Sequence, residues 1–364
     1  MKRYLIVKTS SLGDIVQSFP ALSLLKKIQP DAKIDWVVEH NAKDLLMSHP
    51  YVNRVIFFEG KKWKKHPWRS SCRKAIAHFV KELRLHRYDA IFDLQGNIKS
   101  GVITGFAKAK HKVGFDSQNV AEWPNLIATN RHVQINPTVN LRLQYCQVIN
   151  GYFSLNAKYK QEPDLFLSVK PSKKMEKLFS HSLVQNKVNI LVCPFSRWKN
   201  KQIPVKRLCD FLNFLSKDLD ATFLFISGDE NEKIAAQTLA LRFPNRSIVL
   251  SGYSLVSLFL LMEKMDLIVS MDSLPLHLAG LSSKPTISFF GSSNANLYAP
   301  LGDQHLSLQG RCPHGYFFQK RCKHLRSCIS GACMDDFSLD KITSKLKNWY
   351  FYKKIKEKNK TKHI

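Results

Sequence analysis

What most constrains the fold of this chain is a pattern of short apolar runs separated by helical stretches, played through once and then begun again. In the first half the runs are Tyr4–Val7, Lys33–Val38, Arg54–Phe58, Asp89–Phe92 and His111–Gly114, with helical stretches such as Arg73–Leu85 between them. The second half restarts at Val188–Cys193 and continues through Thr222–Ser227, Ser247–Leu250, Leu267–Ser270 and Thr286–Phe290. Strands buried on both faces read as continuous apolar runs, and joining them through helices makes a parallel sheet. The expectation is an α/β protein with two successive doubly wound halves. The polar segment Gln161–Ser172, with Pro163 and Pro171, reads as the linker. Beyond Phe337 the spacing of Leu339, Ile342, Leu346 and Tyr350 predicts a helix, and Lys353, Lys354, Lys356, Lys358, Lys360 and Lys362 read as a frayed or surface-binding tail.

Sites in such sheets gather where strands end. The first strand leads into Thr9-Ser10-Ser11, then Gly13, where a tight turn is expected, then Asp14, read as opening a helix through Ile15, Phe19, Leu22 and Leu25. Hydroxyls and a carboxylate there suit a binding site, while Asp is equally a good helix N-cap, and the local pattern does not choose. In the second half, Pro194–Lys201 brings Ser196, Lys199 and Lys201 after a strand, as a diphosphate would need; a solvated basic loop reads the same way. Gly228-Asp229-Glu230-Asn231-Glu232 offers carboxylates to ribose hydroxyls or, equally, to a helix dipole. Asp272-Ser273-Leu274-Pro275-Leu276-His277 places an acid after a strand, with Ser273 able to cap the helix that Pro275 starts.

Composition narrows the class. With 364 residues and 44% hydrophobic content, two full cores are affordable. No apolar run approaches the roughly 20 residues of a bilayer span, and the N-terminus lacks a secretory pattern, so a cytoplasmic protein with reduced thiols is expected. The 56 Lys and Arg against 28 Asp and Glu leave a net charge of +28, which attracts polyanions: nucleic acid, phosphorylated glycolipid or an anionic membrane face. The densest cluster of the first half is Lys61-Lys62-Trp63-Lys64-Lys65, with Arg69 beyond. Cys312, Cys322, Cys328 and Cys333, with His314 and His324 nearby, could form a structural zinc site. They lack a Cys-x-x-Cys knuckle, and the expectation is buried free thiols with no metal. Asp218-Leu219-Asp220 imitates a metal-binding Asp-x-Asp but falls between a helix and a strand, and is read as a turn.

Lys8-Thr9-Ser10-Ser11-Leu12-Gly13-Asp14 with Pro20-Ala21-Leu22, then Trp36-Val37-Val38-Glu39, Asp89-Ala90-Ile91-Phe92-Asp93-Leu94-Gln95-Gly96, Lys99-Ser100, and Val269-Ser270-Met271-Asp272-Ser273 with His277 resemble, in order, the lipopolysaccharide heptosyltransferases. The resemblance is closest to the heptosyltransferase I group, which adds the first heptose to Kdo. It implies a GT-B fold: an acceptor-binding Rossmann-like domain (1–165), a nucleotide-sugar-binding one (173–335) across a cleft, and a C-terminal helix with basic tail (336–364) crossing back to the first. It further implies inverting transfer of heptose from ADP-heptose to a Kdo hydroxyl of lipid A–Kdo, without cofactor or metal, at the inner face of the bacterial inner membrane. Asp14 falls on the family's base and Lys201 on its phosphate lysine. Ser196, Glu232, Asp272, Ser273 and His277 fall on the donor side, and Ser10, Ser11, Gly13, Lys62, Lys64, Gln95, Lys99 and Arg142 on the acceptor side. The family usually has Thr-Gly-Leu-Ser-His after the second-half Asp, where this chain has Ser-Leu-Pro-Leu-His. Alternatives are a related transferase with another sugar or a later core acceptor, and a non-catalytic polyanion-binding protein on the same fold. With a glycolipid as the expected polyanion, nucleic acid is not an expected partner.

Overall fold

All ten apolar runs form strands, and two further strands join them. The structure is a computed structural model that describes residues 1–157, 172–185, 187–325 and 327–361, apart from the side chains of 360 and 361. The described residues divide into two compact units, 1–157 and 172–361. The expected linker lies almost wholly outside the described residues, as does Lys362.

The first unit holds β1 (Arg3–Val7), β2 (Lys33–Val38), β3 (Arg54–Phe57), β4 (Arg87–Asp93), β5 (Lys108–Phe115) and β6 (Arg131–Val133) in the order 3-2-1-4-5-6. The second holds β7 (Val188–Cys193), β8 (Ala221–Ser227), β9 (Ser247–Ser251), β10 (Leu267–Met271), β11 (Thr286–Phe290) and β12 (His305–Gln309) in the order 12-11-10-7-8-9. Every neighbouring pair is parallel. Both sheets therefore carry the doubly wound order, reversing direction between β1 and β4 and between β7 and β10. The strands that the apolar pattern does not reveal, β6 and β12, are both edges. Arg131-His132-Val133 and His305-Leu306-Ser307-Leu308-Gln309 keep polar residues because one side of an edge strand meets solvent.

After β1 the chain forms two helices, Leu12–Gln17 and Phe19–Ile28, rather than the single one expected. Pro20 has no N–H to continue the first ladder, so Ser18 ends one helix and starts the next. Gly13 lies inside the first helix and makes no special turn, and Asp14 is its third residue. Ser11 is the cap position.

The C-terminal helices, Leu339–Asn348 and Tyr350–Thr361, differ from the frayed tail expected. Ile342, Leu346, Tyr352 and Ile355 enter the apolar core of the second unit. Tyr352 donates to Asp218 Oδ2 at 2.7 Å, Lys356 to Asp218 Oδ1 at 2.5 Å, and Lys358 to Asp266 at 3.0 Å. Two tail lysines are thus spent on ion pairs, and the described anchorage of the expected crossing helix is to the second unit. Asp218-Leu219-Asp220 is structural: Asp220 turns in the left-handed region at φ 45° and holds Lys187 and Arg246.

Within the first sheet, fully buried Asp35 is met by Arg3 at 3.1 Å, Arg54 at 3.4 Å, the Tyr88 hydroxyl at 3.0 Å and Asn53 at 3.1 Å. These residues come from four adjoining strands and their ends, so one carboxylate ties the sheet across its width. Burial pushes the Tyr88 hydroxyl well above its ordinary pKa. Asp35→Ala strands two arginines beside an apolar sheet and lowers stability by about 3 kcal/mol, read as a fall in the urea midpoint with unchanged slope.

Candidate functional site

Each sheet places a cluster of polar side chains at its own point of reversal, where the crossover helices diverge and the carboxyl ends of the strands are left uncovered.

In the first unit the segment Lys8–Asp14 leaves β1. Its backbone is held from both neighbouring strands. Lys8 O accepts from the Trp36 indole at 3.1 Å, and Thr9 O accepts from Glu39 N at 3.1 Å. Gln95 Oε1, just beyond β4, accepts from Thr9 N at 2.8 Å, Thr9 Oγ1 at 2.9 Å and Ser10 N at 3.2 Å. Gln95 is positioned in turn by Asp93, a fully buried carboxylate. Asp93 Oδ1 accepts from the N–H groups of Gln95 and Gly96, at 3.0 and 2.9 Å. Its other oxygen accepts from Asn125 at 2.7 Å and Thr104 at 3.3 Å. Gln95 therefore holds the loop that follows β1.

Asp14 is half-buried, and its Oδ2 accepts from the Ser11 hydroxyl at 2.8 Å and Ser11 N at 3.3 Å. The carboxylate thus reaches back to the start of its helix, so the capping and functional readings describe the same geometry. Lys99 donates to Ser10 Oγ at 2.9 Å and to Glu39 Oε1 at 2.8 Å. Lys62 and Lys64 stand exposed on the short helix Gly60–Lys65, while Trp63 between them packs edge-on against Phe58 and beside Phe79. The tryptophan is the anchor of the basic cluster, not part of its exposed face. Arg142, expected on the acceptor side, is 2% exposed, with Nη1 3.5 Å from Gln17 Oε1.

In the second unit Lys201 ends a 3-10 turn, Lys199–Lys201, after β7, and its ammonium lies 2.5 Å from Asp272 Oδ2, just after β10. The two side chains are 10% and 5% exposed. Ser293 also donates to Asp272 Oδ2, and His277 Nε2 is 3.8 Å from Oδ1. Burial opposes ionisation of Asp272, but the Lys201 ammonium, His277 and the hydrogen bonds from Lys201 and Ser293 outweigh it and hold the carboxyl below its ordinary value. Ser196 donates to Asp272 O at 3.5 Å, which brings the two loops together. Lys199 is exposed and stands apart from this pair. Glu232, in the first turn after β8, accepts from Gly228 N at 2.7 Å. Ser273 holds the cap position of the helix Leu274–Ala279, yet its hydroxyl turns back to Met271 O at 3.3 Å instead of capping. Leu274, the first residue of that helix, is half-buried.

The structure thus gathers Ser10, Ser11, Asp14, Gln95 and Lys99 in one unit, and Ser196, Lys201, Asp272 and His277 in the other. Glu39, Asp93 and Ser293 were not singled out as site residues. Glu39 and Asp93 carry a signal, a carboxylate at the end of an apolar strand; Ser293 carries none.

A sequence model of glycosyltransferase family 9 (heptosyltransferase) matches residues 76–326, more than half of the chain. The chain belongs to glycosyltransferase family 9. This family 9 enzyme is similar to lipopolysaccharide heptosyltransferase 1 of Campylobacter coli, 28% identical over 298 residues that cover 79% of this chain and 83% of the relative. It is 38% identical to lipopolysaccharide heptosyltransferase 1 of Escherichia coli K12 over 121 residues, 33% of this chain and 38% of that one. Among solved structures, the E. coli heptosyltransferase WaaC with ADP superposes with a TM-score of 0.76 at 22% identity, covering 95% of this chain and 99% of that chain. The shared fold is GT-B.

Because Asp272 sits below its ordinary carboxyl value when folded, its pairing stabilises the protein at neutral pH and is lost as pH falls through the acid range. Asp272→Asn leaves Lys201 buried without its counter-charge and costs about 3 kcal/mol at pH 7. Urea unfolding of this variant also loses part of the wild-type decline in stability between about pH 5 and pH 3.

Proposed function

We propose that the protein transfers heptose from ADP-heptose to a Kdo hydroxyl of lipid A–Kdo, inverting the anomeric carbon. The observation that carries this reading is that one chain holds both a Ser11-oriented Asp14 at the switch point of its first sheet and a buried Lys201–Asp272 pair at that of its second. An inverting transfer needs a base on the acceptor side and positive charge for the departing diphosphate, and these are the two chemistries present. Family membership and the likeness to proteins named lipopolysaccharide heptosyltransferase 1 support the donor and acceptor classes.

In this mechanism Asp14 takes the proton of the attacking hydroxyl, whose oxygen forms the new bond to the anomeric carbon opposite the leaving group. The bond between that carbon and the diphosphate oxygen breaks, and its electron pair leaves with ADP. An ammonium group carries three donors, and Asp272 engages one side of Lys201; the remaining N–H groups meet the charge growing on the diphosphate. Glu232 and Ser196 contribute to nucleotide binding, and Asp272 and His277 to holding Lys201 and the sugar. The exposed Lys62 and Lys64 receive Kdo carboxylate or lipid A phosphate groups, steered by the large positive charge. Among the described residues no helix is long and apolar enough to cross a membrane, so contact with the anionic inner leaflet is peripheral in this reading.

Incubating purified protein with ADP- and UDP-sugars and Kdo-lipid A, with and without EDTA, tests the proposal. Product is expected from ADP-heptose alone and survives EDTA; transfer from a UDP-sugar, or none at all, overturns it. Asp14→Ala lowers kcat by about 10²–10⁴-fold while donor binding, read by calorimetry with ADP, is retained. Lys62→Glu with Lys64→Glu raises the acceptor KM and flattens its dependence on salt, with a smaller effect on kcat.

A further inference from the structure

The segment joining β12 to the helix Leu339–Asn348 has little regular structure. Among the described residues it contributes an isolated bridge from Arg321 to Ser293 and a 3-10 turn, Ala332–Met334. Long segments of this kind inside a compact unit need something besides sheet or helix bonds to fix them.

Four of the eight cysteines of the chain fall on this segment, and the other four are scattered. Cys312, Cys322, Cys328 and Cys333 all line one small cavity of about 20 Å³. Only Cys333 is buried as the sequence led us to expect; the other three are half-buried. The same cavity wall contains Ser292 and Asn200, 3% and 8% exposed. Among the described residues Ser292 Oγ and Asn200 Oδ1 are buried without a hydrogen-bond partner. Apolar packing accounts for single buried thiols. It does not account for four around one small void with two unsatisfied oxygens beside them.

We propose that this cavity is a binding site for a single thiophilic metal ion, zinc or iron, with Cys312, Cys322, Cys328 and Cys333 as its ligands. Four sulfurs about one centre are the donor set of tetrahedral zinc or iron, and the void has room for one ion rather than a cluster. Among the described residues no three His, Cys, Asp or Glu side chains are already set in ligand geometry. Binding therefore turns the half-buried thiols about χ1, their single rotatable bond, until all four point inward. Each thiol gives its proton to solvent as its sulfur bonds the metal, with no change of oxidation state. A divalent ion with four thiolates carries two negative charges, and Arg311, Lys320, Arg321 and Lys323 flank the cluster in sequence.

The ion does no chemistry on the sugar. Asn200 Nδ2 donates to Leu325 O at 2.6 Å and Cys328 O at 3.3 Å. Gly331, at φ 56°, packs so close that a Cβ there would lie 3.0 Å from Asn200 Cα. The cysteine segment therefore clamps the residue next to Lys201, and a bound ion braces the turn that presents this lysine.

Full-length protein purified without chelators, after growth with added zinc and iron, is assayed by mass spectrometry of its metals. About one zinc or iron per chain is expected, and visible absorption separates the two metals. Cys322→Ser and Cys328→Ser each lose the ion, whereas Cys209→Ser, outside the cluster, keeps it. Should the variants fail to fold, titrating the wild type with an organomercurial in the presence of a metal-sensitive dye reads release directly. Metal below about a tenth of an ion per chain, or four thiols that react freely without release, overturns the site. So does an intact mass showing these cysteines joined as disulfides. Metal content is read independently of sugar transfer, so either reading can fail alone.

Discussion

A parallel sheet that winds outward from its middle in both directions leaves its two central strand ends without a covering helix, and the rest of this structure depends on that reversal. In the first unit the uncovered ends are those of β1 and β4; in the second, those of β7 and β10. Ser10, Ser11, Asp14, Gln95, Lys201 and Asp272 lie on segments that leave these strands, and Glu39 and Ser293 join them from the ends of β2 and β11. Within each unit the apolar runs serve mainly to bring those loops together.

The two units stabilise their loops by opposite means. In the first, a neutral side chain does the positioning: Gln95 accepts three hydrogen bonds from Thr9 and Ser10, and is itself fixed by buried Asp93. Loop backbone that would otherwise be unsatisfied is paired by a neutral group, while Lys99 and Asp14 hold the Ser10 and Ser11 hydroxyls. In the second, the fixed element is a charge pair, Lys201 with Asp272, whose desolvation is offset by Ser293 and His277. The loop after β1 is thus fixed through its backbone, and the loop after β7 through a buried ion pair.

Much of this was legible in the sequence where a strand is buried on both faces, because its apolar run is then unbroken. β1, β4, β7 and β10 are of this kind, and the residues just after them, Asp14, Gln95, Lys201 and Asp272, were found by position and by resemblance. Edge strands β6 and β12 were hidden because half their side chains meet solvent. Local pattern also misjudged roles that tertiary packing decides. The basic cluster Lys61–Lys65 gave no sign that Trp63 packs onto the core, and Lys356 and Lys358 looked like frayed or surface-binding tail and are paired with Asp218 and Asp266. Ser293 reaches Asp272 from a different strand end, and no spacing rule connects residues that meet only in the fold. The break at Ser18 was written in Pro20, but helical spacing on either side of it concealed the interruption.

The buried pairing of Lys201 has a consequence for life among the many small anions of a cell. A cation already neutralised at 2.5 Å by a carboxylate has little attraction left for a bare phosphate or chloride ion. An ion of that size brings too few other contacts to offset the cost of drawing the ammonium away from its partner. A nucleotide diphosphate brings a ribose, a base and a sugar, each with its own surface to bury, and can compete. If Lys201 meets a diphosphate as proposed, the pair acts as a sieve, keeping the lysine unclaimed by abundant competitors until a ligand large enough to reward the exchange enters.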